Sequence, residues 1–333
     1  MIFQPAIIAL VLADLVGLVF LAMASLFAVR LLRHWEPASG SALQLRLERR
    51  TYLMSTLVTF VLLTQLGALL LFVLNAERMA PLFVGAMCAV GTLNANDFGF
   101  PSLNLRILLF FMAAVWLIMN RLDNRAPDYP LVRVKYALLL VVAPLAAVTA
   151  GLQLAYFLNL EADVITSCCG TLFSSDRDAV AGDLTGLAPG PTMAAFYAVL
   201  GLTVAAGLLS RRTRWLQRLF LVLAPVAFVT AILAVISFIS LYVYEHPHHH
   251  CPFCMLQAEY GFVGYGLYIP LFLATALALG HGVTRLFART ASMRAIVDTA
   301  GRRLDTMATF LFALFLVAVT WLIASSNLIL LGG

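Results

Sequence analysis

The chain has 333 residues, of which 62% are hydrophobic and 11% charged, with a formal net charge of +5. That much apolar surface has no place inside one water-soluble core, which excludes a soluble globular enzyme and makes a bilayer the solvent. The positive charge does not point to nucleic acid, because the basic residues stand in short clusters between apolar runs of membrane-spanning length.

A hydrocarbon core about 30 Å thick requires about 20 apolar residues per helix. The first such run, Pro5 to Leu32, has no basic residue before it and ends near Arg30, Arg33 and His34. This charge order is the reverse of a secretory signal peptide, so the run is predicted to be a retained span. A second span over Leu53–Asn75 leads into loop 76–104, which contains Cys88 and is apolar enough from Pro81 to Val90 for a short interfacial helix. Spans Leu105–Asn120 and Tyr136–Leu160 follow, then loop 161–190 with the adjacent pair Cys168 and Cys169. The distal half of that loop is polar and rich in glycine and proline, which predicts irregular structure. The remaining spans are Pro191–Leu209, Leu219–Tyr244, Cys254–Gly280 and Met307–Leu331, with the short loop 245–253 between the sixth and seventh. Pro144, Pro225 and Pro270 lie inside spans and are predicted to kink them. The fold class is therefore all-α, a polytopic membrane bundle of about eight helices forming a single transmembrane domain over 1–333.

Lysine and arginine concentrate in cytoplasmic loops. Eighteen of the twenty-one fall in four connections, Arg30–Arg50, Arg121–Lys135, Arg211–Arg218 and Arg285–Arg303, leaving Arg78, Arg106 and Arg177 on the other side. Both termini, all five cysteines and the three loops 76–104, 161–190 and 245–253 are thus expected on the extracytoplasmic face of a bacterial inner membrane. The cytoplasmic connections are too short to hold a folded catalytic domain, so any chemistry belongs to the outer loops. A permeation path would place several ionisable residues inside the spans, and only Asp14 and Glu259 are candidates for one, which argues against transport. His281, near the inner end of the seventh span, is expected to snorkel to the interface.

The densest chemistry is in the run His246-Pro-His-His-His-Cys-Pro-Phe-Cys-Met-Leu-Gln257. A Cys-x-x-Cys pair at the start of a helix is poised for thiolate chemistry, because free backbone amides and the helix dipole stabilise negative charge on the first sulfur. Cys251 is then the nucleophile and Cys254 its resolving partner, with Glu259 a candidate proton acceptor five residues on. A second reading of the same residues is metal binding. His246, His248, His249 and His250, with Cys251, Cys254, Cys168 and Cys169, offer soft and borderline ligands suited to copper(I) or zinc, as in a subunit or accessory protein of a transporter or metalloenzyme served by a metallochaperone. A third reading makes the cysteines loop staples of a structural subunit among other membrane subunits.

The segment Cys251-Pro-Phe-Cys-Met-Leu-Gln257 resembles the active-site segment of the disulfide-bond formation protein B family, in which Cys-x-x-Cys at the outer end of a membrane helix is followed by two apolar residues and often Gln-Arg; Ala258 stands here in place of that arginine. It is also similar to the Cys-Pro-aromatic-Cys of bacterial vitamin K epoxide reductase homologues. The resemblance implies a membrane thiol–disulfide oxidoreductase in which Cys251 and Cys254 exchange electrons with a quinone. A second pair, Cys88 with Cys168 or Cys169, would then meet an extracytoplasmic thiol protein. Cys168 and Cys169 are not expected to bridge each other, since adjacent Cα atoms are about 3.8 Å apart and a disulfide prefers about 5.5–6 Å. Tyr260 and Tyr265, with Tyr268 and Arg106, are the candidates for holding the quinone head group.

Overall fold

The computed structural model describes residues 4–36, 39, 41–161, 166, 188–210 and 212–330, and among these no strand occurs. The helices in chain order are α1 (Pro5–His34), α2 (Ala42–Met79), the short α3 (Ala89–Leu93), α4 (Gly99–Asp123), α5 (Val132–Leu158), α6 (Pro189–Leu209), α7 (Arg214–Ala234), α8 (Ser240–Tyr244), α9 (Val263–Phe287) and α10 (Ala291–Ser325). A π-helical turn, Val235–Ile239, joins α7 to α8. Eight segments are long and apolar enough to cross a membrane, α7 to α8 counting as one. The chain is an all-α polytopic membrane bundle, as its hydropathy pattern predicts.

Local chemistry sets several helix starts. Pro5 and Pro189 occupy first-turn positions, where a missing N–H costs nothing. Thr213 caps α7 by accepting the Leu216 N–H at 3.3 Å. Two helices extend well beyond their apolar runs: α2 begins at Ala42 rather than Leu53, and α10 at Ala291 rather than Met307. At 1.5 Å per residue the 38 residues of α2 are about 57 Å long. The excess over the bilayer core is made of helix-favouring polar residues such as Gln44, Arg46, Glu48 and Arg49. Helices α5, α7 and α9 continue through Pro144, Pro225 and Pro270.

Two expectations are corrected. The helix following the Cys-x-x-Cys pair starts at Val263, not at Cys254, because Gly261 and Phe262 both take positive φ, +63° and +57°, and interrupt the helical path. Residues Cys254–Leu256 and Ala258–Tyr260 form separate 3-10 turns instead. In loop 76–104 the stretch Pro81–Val90 is not one interfacial helix. It divides into a 3-10 turn over Ala80–Leu82 and α3, separated at Gly85, whose φ is +84°.

The chain divides into two compact units, one of Met1–Asn75, Ala95–Glu161 and Gly280–Gly301, the other of Ala76–Asn94, Ala162–Leu279 and Arg302–Gly333. In the first, α1, α2, α4 and α5 pack around Phe27, Leu62, Trp116 and Tyr136. Each of these helices also contributes one residue to a buried polar cluster, Asp14, Gln65, Arg106 and Gln153 respectively. Arg106 Nη2 lies 2.6 Å from Asp14 Oδ2. Gln65 and Gln153 donate to the same carboxylate at 3.1 and 2.8 Å. A second buried pair joins Lys135 to Asp123 at 2.8 Å. His281 does not snorkel. It is fully buried, and a Cβ on Gly301 would fall 2.2 Å from its ring, so glycine is what lets the helices close here.

The second unit has a core of interlocking aromatic rings, Phe196 against Phe238 and Phe315, and Phe220 against Phe312, with centroids 5.6 to 6.5 Å apart. A file of alanines on α7, at 224, 227, 231 and 234, makes room for them.

Candidate functional site

The site is built in the second unit from two connections, 80–88 after α2 and 245–262 between α8 and α9. The later one begins where Glu245 adopts a left-handed conformation, φ +52°, and ends α8. Two tyrosine hydroxyls then pin its backbone. Tyr244 donates to the Cys251 carbonyl at 2.5 Å and Tyr268 to the Pro252 carbonyl at 2.7 Å. The turn over Cys254–Leu256 packs directly on Gly264 of α9; a Cβ there would lie 2.7 Å from Met255 Cγ and 3.0 Å from the Met255 carbonyl oxygen. The two cysteines are thus fixed by helix ends that flank them.

Cys88 comes from the other connection. It stands in extended conformation at the N-terminus of α3, its carbonyl accepting the N–H groups of Gly91 and Thr92. Its sulfur lies 3.4 Å from Cys251 Sγ, which lies 2.9 Å from Cys254 Sγ. All three thiols are buried, with exposures of 0%, 3% and 5% for Cys88, Cys251 and Cys254. Cys251 is the central sulfur, within reach of both others. Among the described residues these three cysteines form the one group of possible metal ligands, and no histidine belongs to it.

The sulfurs differ in acidity. Cys251 receives hydrogen bonds from the Cys254 and Cys88 thiols and, against the opposing effect of burial, from the backbone amides of Cys254 and Phe253, so its pKa is held well below the ordinary thiol range. The Cys254 amide approaches the Cys251 sulfur to 3.3 Å. Cys254 is pushed the other way, first because its proton is committed to Cys251, then by Cys88 and by burial. The arrangement therefore suits a thiolate at Cys251 with a neutral thiol at Cys254. The hydrogen bonds that lower the Cys251 pKa come from the turn and from Cys88, and not from the start of a helix.

The other predicted residues are dispersed. His246 and His248 are exposed, with rings 6.1 Å apart. His249 lies against the Tyr244 ring, centroids 4.1 Å apart. His250 Nδ1 is 2.9 Å from the Ile236 carbonyl, inside the π-helical turn, where the i→i+5 register re-aims the backbone acceptors. Tyr260 is half-buried with its ring 4.6 Å from Tyr244, and burial, the nearby sulfurs and Glu259 push its phenol pKa upward. Tyr265 is half-buried in the first turns of α9, next to Phe262. Glu259 is exposed and lines an open cleft of about 280 Å³ with Tyr242, Glu245, Tyr260 and Ser325. Arg106, a sequence candidate for holding the quinone, is 1% exposed within α4 and pairs with Asp14, because a guanidinium inside a span needs a counter-charge. Cys168 and Cys169 lie outside the described residues.

Sequence reasoning missed Glu77, the carboxylate that touches both connections. Its Oε2 accepts the Ala89 N–H at 2.9 Å, and its Oε1 accepts Gln257 Nε2 at 2.5 Å. Glu77 and Gln257 are 180 positions apart, and no local pattern links them. The only signal is that one directly follows an apolar span and the other directly follows the cysteine motif.

Comparison with protein-family models, with curated proteins and with solved structures returned no match to this chain.

Proposed function

We propose that this protein is a membrane thiol–disulfide oxidoreductase with a buried three-thiol relay, in which Cys251 is the shared sulfur. The observation that carries the reading is the placement of Cys251 at 2.9 Å from Cys254 and 3.4 Å from Cys88. Oxidation of Cys251 and Cys254 forms their disulfide and delivers two electrons and two protons to a quinone, giving the quinol. The Cys88 thiolate then attacks Cys251, a Cys88–Cys251 bond replaces the Cys251–Cys254 bond, and Cys254 leaves as a thiolate that takes up a proton. A dithiol from an extracytoplasmic protein reduces the relay and closes its own disulfide, so the net reaction converts substrate dithiol and quinone to substrate disulfide and quinol. The basic cytoplasmic connections support an outward-facing site in a bacterial inner membrane.

Geometry weighs against the metal reading as the thiols stand. With metal–sulfur bonds of about 2.3 Å, two sulfurs 2.9 Å apart would subtend about 80° at the ion, far below a tetrahedral or trigonal angle. What favours metal is that three buried thiols lie mutually within 4.8 Å, so capture of copper(I) or zinc by these three cysteines is the second reading.

One experiment separates them. The purified full chain is incubated with a short-chain quinone, quenched in acid and alkylated, its disulfides are mapped by mass spectrometry, and its metal content is measured in parallel. The relay predicts one quinol per disulfide formed, with Cys251 in every linkage among the three thiols, and loss of the Cys88–Cys251 linkage when Cys254 is replaced by alanine, because that linkage arises by exchange from Cys251–Cys254. One equivalent of copper or zinc per chain, lost on removal of any of the three thiols and accompanied by no disulfide, would establish the metal reading in its place.

A further inference from the structure

We infer that Glu77 is the positioning residue that holds Cys88 against Cys251 and thereby determines whether Cys251 pairs with Cys88 or with Cys254. The inference rests on the thiol relay proposed above and names a residue that governs its branch point.

Both peptide neighbours of Cys88 are tied down by side chains outside the 80–88 connection. On one side the Ala89 N–H donates to Glu77 Oε2 at 2.9 Å; on the other the Met87 carbonyl accepts Gln257 Nε2 at 2.8 Å. Glu77 and Gln257 are bonded to each other at 2.5 Å, which closes the ring of contacts around Cys88. Gln257 is in turn part of the cysteine turn, since its N–H donates to the Cys254 carbonyl at 3.0 Å. The carboxylate therefore connects the backbone carrying Cys88 to the backbone carrying Cys251 and Cys254. Its bonds are charge-assisted, the stronger class of neutral-donor contact.

Cys251 and Cys254 need no such connection. They share one turn, with the Cys254 N–H already directed at the Cys251 sulfur. Sulfur–sulfur bonding requires an approach to about 2.05 Å with a defined dihedral, so a displacement of the Cys88 loop of about 1 Å removes one branch of the relay and leaves the other intact. This asymmetry makes the role of Glu77 separable from general stability.

The test oxidises the full-length protein in native membranes with limiting diamide, which takes up the two electrons and two protons of each disulfide formed. Acid quenching, alkylation and peptide mapping then give the ratio of Cys88–Cys251 to Cys251–Cys254 linkages. In Glu77→Ala the ratio is expected to fall about tenfold while the Cys251–Cys254 yield does not fall, that yield serving as the internal measure of folding. Glu77→Gln keeps one acceptor oxygen and places an amide against a donor, so it should lower the ratio by a smaller factor in the same direction. An unchanged ratio in both variants overturns the inference while leaving the relay standing, and loss of both linkages in both variants overturns the selective role. If the unmodified protein forms no Cys88–Cys251 linkage at all, the relay itself fails and this inference falls with it.

Discussion

The Asp14–Arg106 pair gives a stability prediction that can be worked from its surroundings. Replacing Asp14 with asparagine removes the charge 2.6 Å from Arg106 Nη2 and leaves the guanidinium, 1% exposed, with two neutral acceptors, Gln65 Oε1 at 3.4 Å and Gln153 Oε1. An uncompensated charge in a buried site costs about 3–5 kcal/mol. Replacing Arg106 with methionine is expected to be milder, because the carboxylate keeps the amide donors of Gln65 and Gln153 at 3.1 and 2.8 Å. The double variant should then lose less than the sum of the singles by about 2–3 kcal/mol, the range found for directly coupled residues. The assay is reversible unfolding by SDS in mixed micelles, followed by circular dichroism, for all four corners of the cycle. High salt should leave the coupling nearly unchanged, since a pair this buried is poorly screened. Additivity within about 0.5 kcal/mol would refute the reasoning and make the pair an incidental contact.

Two further outcomes follow from the site. Gly264→Ala places a Cβ 3.0 Å from the Met255 carbonyl and 2.7 Å from Met255 Cγ, so the cysteine turn must shift. A destabilisation of about 1–3 kcal/mol by thermal unfolding is expected, together with slower Cys251–Cys254 oxidation, and wild-type behaviour in both would contradict the packing argument. The acidity of the thiols gives a pH prediction. Because the folded pKa of Cys251 is depressed, its thiolate contributes stability above the ordinary thiol pKa, and that contribution is lost as pH falls through the folded value. Cys254 has the opposite sign, its neutral thiol stabilising the fold below the ordinary value and ceasing to do so as pH rises. At pH 6 a small methanethiosulfonate should therefore modify Cys251 before Cys254, whereas a bulky maleimide should react with none of the three buried thiols until SDS is added. Faster modification of Cys254 would reverse the assigned roles.

Much of the fold was legible in the chain because a bilayer imposes a local rule: each span must carry its own apolar length, and hydropathy measures that length directly. Hence the eight segments are found where the apolar runs lie. Helix ends were less legible. Apolar length ends at the membrane surface, whereas α2 and α10 continue through polar residues that favour helix in water. The late start of α9 depends on Phe262 at φ +57°, a conformation that no apolar pattern reports for an aromatic residue.

For the site, the sequence by itself brought two thiols together, since Cys251-Pro-Phe-Cys254 confines them to one turn whatever the rest of the chain does. The partners of that turn were decided by tertiary structure alone. The approach of Cys88 to Cys251 spans 163 positions, the Glu77–Gln257 bond spans 180, and the pairing of Arg106 with Asp14 spans 92. In each case the residues carry no local signal of one another, and only the packing of helices from distant parts of the chain brings sulfur to sulfur and charge to counter-charge. The four histidines show the converse: their crowding in sequence suggested a common ligand, yet a loop pinned by Tyr244 and Tyr268 leaves two of them in solvent, one against a ring and one on a backbone carbonyl. Adjacency along an irregular backbone fixes no shared direction for the side chains, so the three-thiol cluster was settled by the fold.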